Sequence, residues 1–220
     1  MSNNIFLQEV NAQYLLRELT KWPRARLGEI AEINPRRTAG LNRADDELTT
    51  FVPMEAVDAQ SGAITGATLR PYQAIKKGYT YFEENDVIFA KITPCMQNGK
   101  HAVCENLKDS LGFGSTEFHV LRASKKLSPK WLHYFLRRPE LLEDAQRHFT
   151  GAVGQQRVPD NFLRELEIPL PPYSEQLQII SGLTMALQSV DAARLATQKQ
   201  LAAIEALPAA LLRKAFNNND

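Results

Sequence analysis

The chain has little cysteine: Cys95 and Cys104 are the only two among 220 residues. They do not form a Cys-x-x-Cys pair, and His101 is the one histidine near them. A structural zinc ion needs about four ligands, and a disulfide framework needs several cysteine pairs. We therefore expect both cysteines to be reduced thiols and predict no metal site.

Long hydrophobic runs are also missing. No stretch approaches the roughly eighteen consecutive apolar residues that a membrane-spanning helix requires. The first residues, Met1–Ile5, contain no basic segment leading into an apolar run, as a secretion signal would. These two absences predict a cytoplasmic protein that does not enter a membrane.

An excess of either charge is the third absence. The chain has 26 Lys and Arg against 25 Asp and Glu, a formal net charge of +1, and residues 174–220 divide evenly between the two signs. Proteins that bind nucleic acids usually carry a basic excess. Composition alone therefore does not indicate DNA binding, and such a function must depend on a local basic cluster.

Sequence motifs of enzyme chemistry are missing as well. The segment Leu170–Tyr173 resembles the Pro-Pro-Tyr core of adenine methyltransferases, but Leu170 replaces the polar residue that accepts a hydrogen bond from the adenine amino group. Asp160, Glu165 and Glu167 resemble nuclease acids, yet no lysine lies two residues after either glutamate. There is no P-loop and no Gly-x-Ser-x-Gly motif. We predict no catalytic residues and no cofactor, neither S-adenosylmethionine nor ATP.

What the chain does contain is a helical apolar pattern that begins at Gln176. Residues spaced by three and four occupy two heptad positions, and all but Arg194 and Thr197 are apolar. A single helix cannot bury such a stripe against itself, so the pattern predicts a partner helix. Pro208 predicts that the helix ends near Ala206, with a short helical piece beyond it. The residues predicted to contact the partner helix are Ile180, Leu183, Leu187, Val190, Leu201, Ile204 and Leu211.

The preceding sequence alternates short β patterns with loops. Strands are predicted at Arg26–Ile33, Thr49–Met54, Tyr79–Phe82 and Asp86–Ile92, and turns at Ser61-Gly62 and Gly112–Gly114.

Two helices are predicted after these strands. The first has Ser128 as N-cap and Pro129 at its first position, with Trp131, Tyr134 and Phe135 in the core, and the second spans Glu140–Phe149. The predicted fold class is α+β. It comprises an N-terminal accessory helix at 1–20, a mixed α/β domain of many short strands at 21–172, and a coiled-coil-forming helix at 173–216.

Five blocks of sequence, taken in order, resemble the DNA-specificity subunit of type I restriction-modification systems. They are Leu27–Arg36, Asp86–Pro94 with Asn98–Lys100, Gly114–Phe118, Gly154–Pro159 and Leu170–Gln176. The resemblance covers Trp22 to Phe216 and implies a target-recognition domain followed by a spacer helix. Full family members carry two such units, whose helices pack as an antiparallel coiled coil, and each domain reads one half of a gapped DNA site. This sequence resembles a half-length form with one unit.

The resemblance implies a non-catalytic specificity subunit. Such a subunit binds double-stranded DNA and directs separate methyltransferase and restriction subunits to a gapped site. If the chain acts alone in this role, we expect a homodimer formed through the C-terminal helix; if it is half of a tandem subunit, we do not. The alternative is an interaction or decoy module that oligomerises through its helix without reading DNA, which the near-neutral charge favours.

Candidates for DNA contact are side chains that match base edges or phosphates. Gln155, Gln156 and Arg157 follow glycines in one loop and suit base reading. The remaining candidates, which suit a mixture of base and phosphate contacts, are Arg36, Arg37, Lys76, Lys77, Lys91, Asn98 and Lys100. The four histidines, His101, His119, His133 and His148, are scattered and interpreted as ordinary surface or core residues.

Overall fold

A computed structural model describes residues 22–37, 42–152 and 155–217. The accessory helix predicted at 1–20 and Gly154 of the candidate DNA loop lie outside these residues. The chain divides into two compact units, with the boundary between Leu177 and Gln178. The long C-terminal helix begins at Tyr173, so its first turn belongs to the first unit.

The described part of the first unit contains ten short strands. They are β1 (Arg24–Arg26), β2 (Ala31–Ile33), β3 (Leu48–Val52), β4 (Thr68–Pro71), β5 (Thr80–Glu83), β6 (Val87–Ala90), β7 (His101–Val103), β8 (Leu111–Gly114), β9 (Phe118–Ala123) and β10 (Glu167–Pro169). They form a two-stranded sheet β1-β10 and two four-stranded sheets, β2-β9-β6-β7 and β4-β3-β8-β5. All described pairings are antiparallel except β3 with β8.

Short helices connect and cover these strands. They are α1 (Leu27–Ile30), α2 (Tyr72–Ile75), α3 (Pro129–Leu136), α4 (Pro139–Arg147) and α5 (Asp160–Glu165). Single 3-10 turns lie at Met54–Ala56 and Lys108–Ser110. Mixed sheets followed by α6 (Tyr173–Asn217) confirm the predicted α+β fold class.

The main core lies where residues from the two four-stranded sheets meet. Val52 and Phe82 from one sheet join Ile88, Phe118 and Val120 from the other in a single buried cluster. Alternate residues of a strand point to opposite faces, so each sheet contributes every second side chain to this core. The opposite face of β4-β3-β8-β5 carries a second buried cluster, of four aromatic residues together with Ile75 and Leu111.

The turn predicted at Gly112–Gly114 is wrong, because these residues form strand β8 inside a sheet. A Cβ on Gly112 would lie 2.5 Å from the ring of Phe82, and one on Gly114 would lie 2.5 Å from the carbonyl oxygen of Val52. The glycines are therefore required by close packing rather than by a turn.

The strand predicted at Arg26–Ile33 is also partly wrong, because the helical turn α1 interrupts it. Leu27 and Ile30 are both buried, and their spacing of three residues fits a helical turn. The backbone N–H of Leu27 donates to the carbonyl of Leu166 at 2.8 Å, which anchors the turn. The strands predicted at Thr49–Met54, Tyr79–Phe82 and Asp86–Ile92 are found, with shifted ends, as β3, β5 and β6.

Helix α3 begins after Ser128 with Pro129 at its first position, as predicted. The Ser128 side chain makes no capping hydrogen bond; its backbone N–H instead donates to Oε1 of Gln176 at 2.8 Å. Trp131 and Phe135 are buried, and Tyr134 is half-buried. Helix α4 covers most of the helix predicted at Glu140–Phe149.

The predicted end of the long helix near Ala206 is wrong, since α6 continues through Pro208 to Asn217. A proline removes one backbone hydrogen bond, here to the carbonyl of Ile204, and these exposed positions leave that carbonyl open to water. Among the described residues, no helix combines the length and the hydrophobicity needed to cross a membrane.

Candidate nucleic-acid interface

The loop that contains Gln155, Gln156 and Arg157 is tied at its base to the segment after β6. The backbone N–H of Thr93 donates to the carbonyl of Gln156 at 3.0 Å, and Arg157 forms isolated β-bridges with Ile92 and Thr150. Gln155 is exposed, and Gln156 and Arg157 are half-buried. The structure thus places Gln155, Gln156 and Arg157 next to the segment that begins at Lys91, which is also predicted to contact DNA.

Arg157 has an acidic partner that sequence reasoning missed. Its Nε and Nη2 donate to the two carboxylate oxygens of Glu117 at 2.9 and 2.7 Å, and Nη1 donates to the carbonyl of Gln155 at 2.9 Å. These hydrogen bonds lower the pKa of Glu117 and raise the pKa of Arg157. The guanidinium is held in one orientation, and its charge is balanced within the chain.

Lys91 contributes a positive charge near the Arg157–Glu117 pair. Lys91 is half-buried, and its charge helps to lower the pKa values of Glu117 and His119. Burial is the main cause of the lowered pKa of His119, whose Nε2 lies 2.8 Å from the carbonyl oxygen of Val158. His119 is therefore a neutral core residue at pH 7, as predicted for an ordinary histidine.

A second group of predicted residues surrounds the ring of Tyr72 in α2. The Arg37 guanidinium lies 5.1 Å and the Lys76 ammonium 5.8 Å from the ring centroid. Lys76 also forms an ion pair of 2.5 Å with Asp45. Arg36 and Lys77 are exposed near this group in sequence.

The last two candidates lie in and after the turn that follows β6. Asn98 is exposed, and its backbone N–H donates to the carbonyl of Pro94 at 3.0 Å. The Lys100 ammonium donates to the carbonyls of Met54 at 3.1 Å and Val57 at 2.8 Å. Lys100 is therefore engaged by the fold itself, and its predicted DNA contact has no support from this geometry.

One cation that the sequence did not single out lies on the aromatic face of the sheet β4-β3-β8-β5, opposite the main core. The Arg70 guanidinium is 4.0 Å from the centroid of the Phe51 ring. Its position could be found only from the strand register, which places Arg70 opposite Thr49, two residues before Phe51. Among residues 22–37, 42–152 and 155–217, no group of His, Cys, Asp and Glu is arranged to hold a metal ion.

Comparisons with known proteins identify the family. The model of the type I restriction modification DNA specificity domain matches residues 20–206. The specificity subunits of the Escherichia coli type I restriction enzymes EcoAI and EcoEI are both 36% identical to this chain, over 172 and 161 residues. These alignments cover 77% and 72% of this chain, but only 28% and 26% of the two subunits.

A solved structure supports the same fold. It concerns complex assembly and conformational transition of the type I R-M system, and one of its chains matches with a TM-score of 0.75 at 24% identity. The match covers 90% of this chain and 50% of that one. The protein thus spans about a quarter of the curated relatives and half of the solved chain. The family model covers most of the sequence, and the chain therefore belongs to the family of type I restriction modification DNA specificity domains.

Proposed function

We propose that this chain is a sequence-specific DNA-binding module of a type I restriction-modification specificity subunit. The observation that carries the proposal is the match of the DNA specificity domain across residues 20–206. The module recognises one part of a gapped duplex site and brings separate methyltransferase and restriction subunits to it. Methyl transfer and cleavage belong to those subunits, and this chain binds neither of their cofactors.

The geometry of the loop around Gln155 supports base reading. An amide side chain carries one donor and one acceptor group, the pair that matches an adenine edge in the major groove. Gln155 is exposed, and the backbone hydrogen bonds that Gln155, Gln156 and Arg157 make with Ala152, Thr93 and Thr150 restrict these residues before binding. Because Glu117 balances the charge of Arg157, the adjacent Arg157–Glu117 pair orients the loop and presents no unbalanced charge to DNA.

The exposed face of α6 supports pairing with a second helix. Val190, Ile204 and Leu211 are 63%, 62% and 64% exposed, and Leu187 and Leu201 are 43% and 55% exposed. Ile180 is buried, at 7% exposed, and Leu183 is half-buried, so the open stripe begins at Leu187. We propose that a second copy of the chain covers this stripe with its own α6 in the antiparallel direction.

The proposal is tested by selecting bound duplexes from a random pool, using the chain alone and the chain with its methyltransferase subunit. We expect one gapped motif to be enriched and its binding constant to fall steeply with added salt, because phosphate contacts release counterions. A scrambled duplex of equal length is the control. Failure to enrich any motif, with or without the methyltransferase, would favour the decoy module instead.

A further inference from the structure

We propose that the outer face of the sheet β4-β3-β8-β5 is a second DNA-contacting surface, on which Arg37 and Arg70 bind the phosphate backbone of duplex DNA. The proposal rests on the proposed function. It assigns a role to Arg70, which lies outside the sequence-predicted set, and separates Arg37 from its neighbours Arg36 and Lys77.

The foundation of this surface is a row of aromatic side chains. Phe51 of β3 lies opposite Phe113 of β8, which lies opposite Tyr81 of β5, so the three rings share one face. Tyr72 of α2 packs on the same row, with its ring centroid 6.0 Å from that of Phe113. All four rings are at most 9% exposed, which fixes their positions.

Cations cover this row from the solvent side. Arg70 lies opposite Thr49 in the sheet and therefore points to the same face as Phe51, over which its guanidinium stands at 4.0 Å. Arg37 stands over the Tyr72 ring at 5.1 Å. Both arginines are exposed overall, so their side chains cover the rings without being enclosed.

Three nearby acids are already paired with other cations. Asp45 pairs with Lys76, and Glu47 and Asp109 both pair with Arg43, whose side chain is only 5% exposed. Among the described residues no carboxylate lies within ion-pair distance of Arg37 or Arg70. Within the described part of the chain their charge is therefore left unbalanced, unlike that of Arg157, which Glu117 balances.

The positions of these guanidinium groups over the rings suit phosphate binding. A guanidinium lying over a ring keeps its N–H donors at its edge, where a phosphate can accept two of them in parallel. Contact with the ring restricts the side chain before binding, which reduces the conformational entropy lost on binding. Two such arginines on a rigid face fit a repeating anionic backbone better than a single anion.

The test compares variants by the dependence of DNA binding on salt, with fluorescence anisotropy and the selected duplex. The slope of log K against log salt is negative, and each lost phosphate contact should reduce its magnitude by about 0.9. R37Q with R70Q should therefore reduce the magnitude by about 1.8. The control is R147Q, which makes the same charge change as R37Q or R70Q alone, at an exposed position at the end of α4. R70K keeps the charge and should keep most of the slope. Melting curves establish that each variant is folded.

The outcomes separate this proposal from the proposed function. A double variant that is folded and binds with the wild-type slope overturns the phosphate surface while leaving the proposed function intact. No binding of any duplex by the unmodified chain overturns both. A double variant that keeps its DNA binding but loses its methyltransferase subunit makes this face a protein-docking surface, which also overturns the proposal.

Discussion

At the scale of single residues, the arginines of this domain differ by what neutralises them. Arg157 donates two hydrogen bonds to Glu117, whereas Arg70 contacts only the face of Phe51 among the interactions described. A charge that is balanced within the chain attracts phosphate weakly, because the acid repels what the base attracts. The side chain next to each arginine, rather than the arginine itself, therefore decides which of these residues can attract a phosphate group.

Replacing Glu117 by Gln tests this distinction at the loop. The change removes a negative charge and frees the Arg157 guanidinium, so we expect tighter DNA binding at low salt and a slope steeper by up to about 0.9. Binding as a function of salt is the measurement. E105Q, at an exposed acid paired with Lys130, is the control for loss of one negative charge. Equal effects of E117Q and E105Q would show that Arg157 contributes no specific contact.

His101 is a second residue whose partners matter more than its sequence context. It is fully buried, its ring stacks on Phe89 at 4.2 Å, and neither ring nitrogen has a hydrogen-bond partner within the described part of the chain. Burial, aided by the charges of His133 and Arg137, lowers its pKa to about 3. Burial and Arg137 likewise lower the pKa of His133 to about 4.

These lowered pKa values predict acid sensitivity. Below the ordinary pKa of about 6.5, unfolded histidines take up protons that the folded ones cannot, so the free energy of unfolding falls by about 1.4 kcal/mol per pH unit for each histidine. This stability is fully present above pH 6.5 and is lost as the pH falls toward 4. We expect the free energy of urea unfolding, plotted against pH between 6.5 and 5, to have a slope smaller by about one proton in H101L than in the wild type. Above pH 7 the curves of the two proteins should be parallel. An unchanged slope would mean that His101 is protonated in the folded protein.

At the scale of elements, the sequence predicted those whose pattern is local. Strands β3, β5 and β6 and helices α3 and α4 follow from β-branched and aromatic runs or from a proline start. The mistakes fall where tertiary contacts decide. Gly112 and Gly114 mark a close approach of Phe82 rather than a turn, and Leu27 is anchored by Leu166, far along the chain. No local pattern contains that information.

The start of α6 shows the same dependence on distant contacts. Gln176 is fully buried, and its amide accepts from the N–H of Ser128 and donates to the carbonyls of Lys126 and Pro171. It satisfies backbone groups that would otherwise be buried without partners. Sequence spacing placed Gln176 at the beginning of the helix but could not show that it fastens the first helical turn to α3.

The sequence indicated which residues could form the candidate site, but it did not indicate how the fold arranges them in space. The loop at Gln155–Arg157 was found from its glycines and polar side chains. Its acidic partner Glu117 lies 40 residues away, and only the fold brings the two together. For Lys100, predicted to contact DNA, a one-dimensional pattern could not reveal the two carbonyl acceptors, Met54 and Val57, that its ammonium group contacts in the fold.

At the scale of the whole molecule, the two units differ in how far each buries its own apolar residues. The first unit has its own core between two sheets, whereas the second is a helix with exposed apolar residues along much of its length. Helix α6 has 45 residues, which at about 1.5 Å per residue span roughly 68 Å. The open apolar stripe runs from Leu187 to Leu211, roughly 36 Å at the same rise per residue. Such a stripe on an isolated helix is unusual in a monomer, and pairing with a second helix would bury it.

Antiparallel pairing of two α6 helices can be tested by the mass of the particle and by substitutions in the stripe. A two-fold axis makes both copies equivalent, so antiparallel α6 helices should produce a gapped palindromic target, with Arg194 and Thr197 near the axis setting the register. Light scattering should give twice the chain mass of 24.8 kDa. L187E with V190E places charges in the stripe and should give monomers that lose specific DNA binding, whereas Q188E, on an exposed position outside the heptad positions, should remain dimeric. A wild-type monomer at micromolar concentration would contradict the homodimer and favour pairing of this helix with that of a second recognition unit in the same chain.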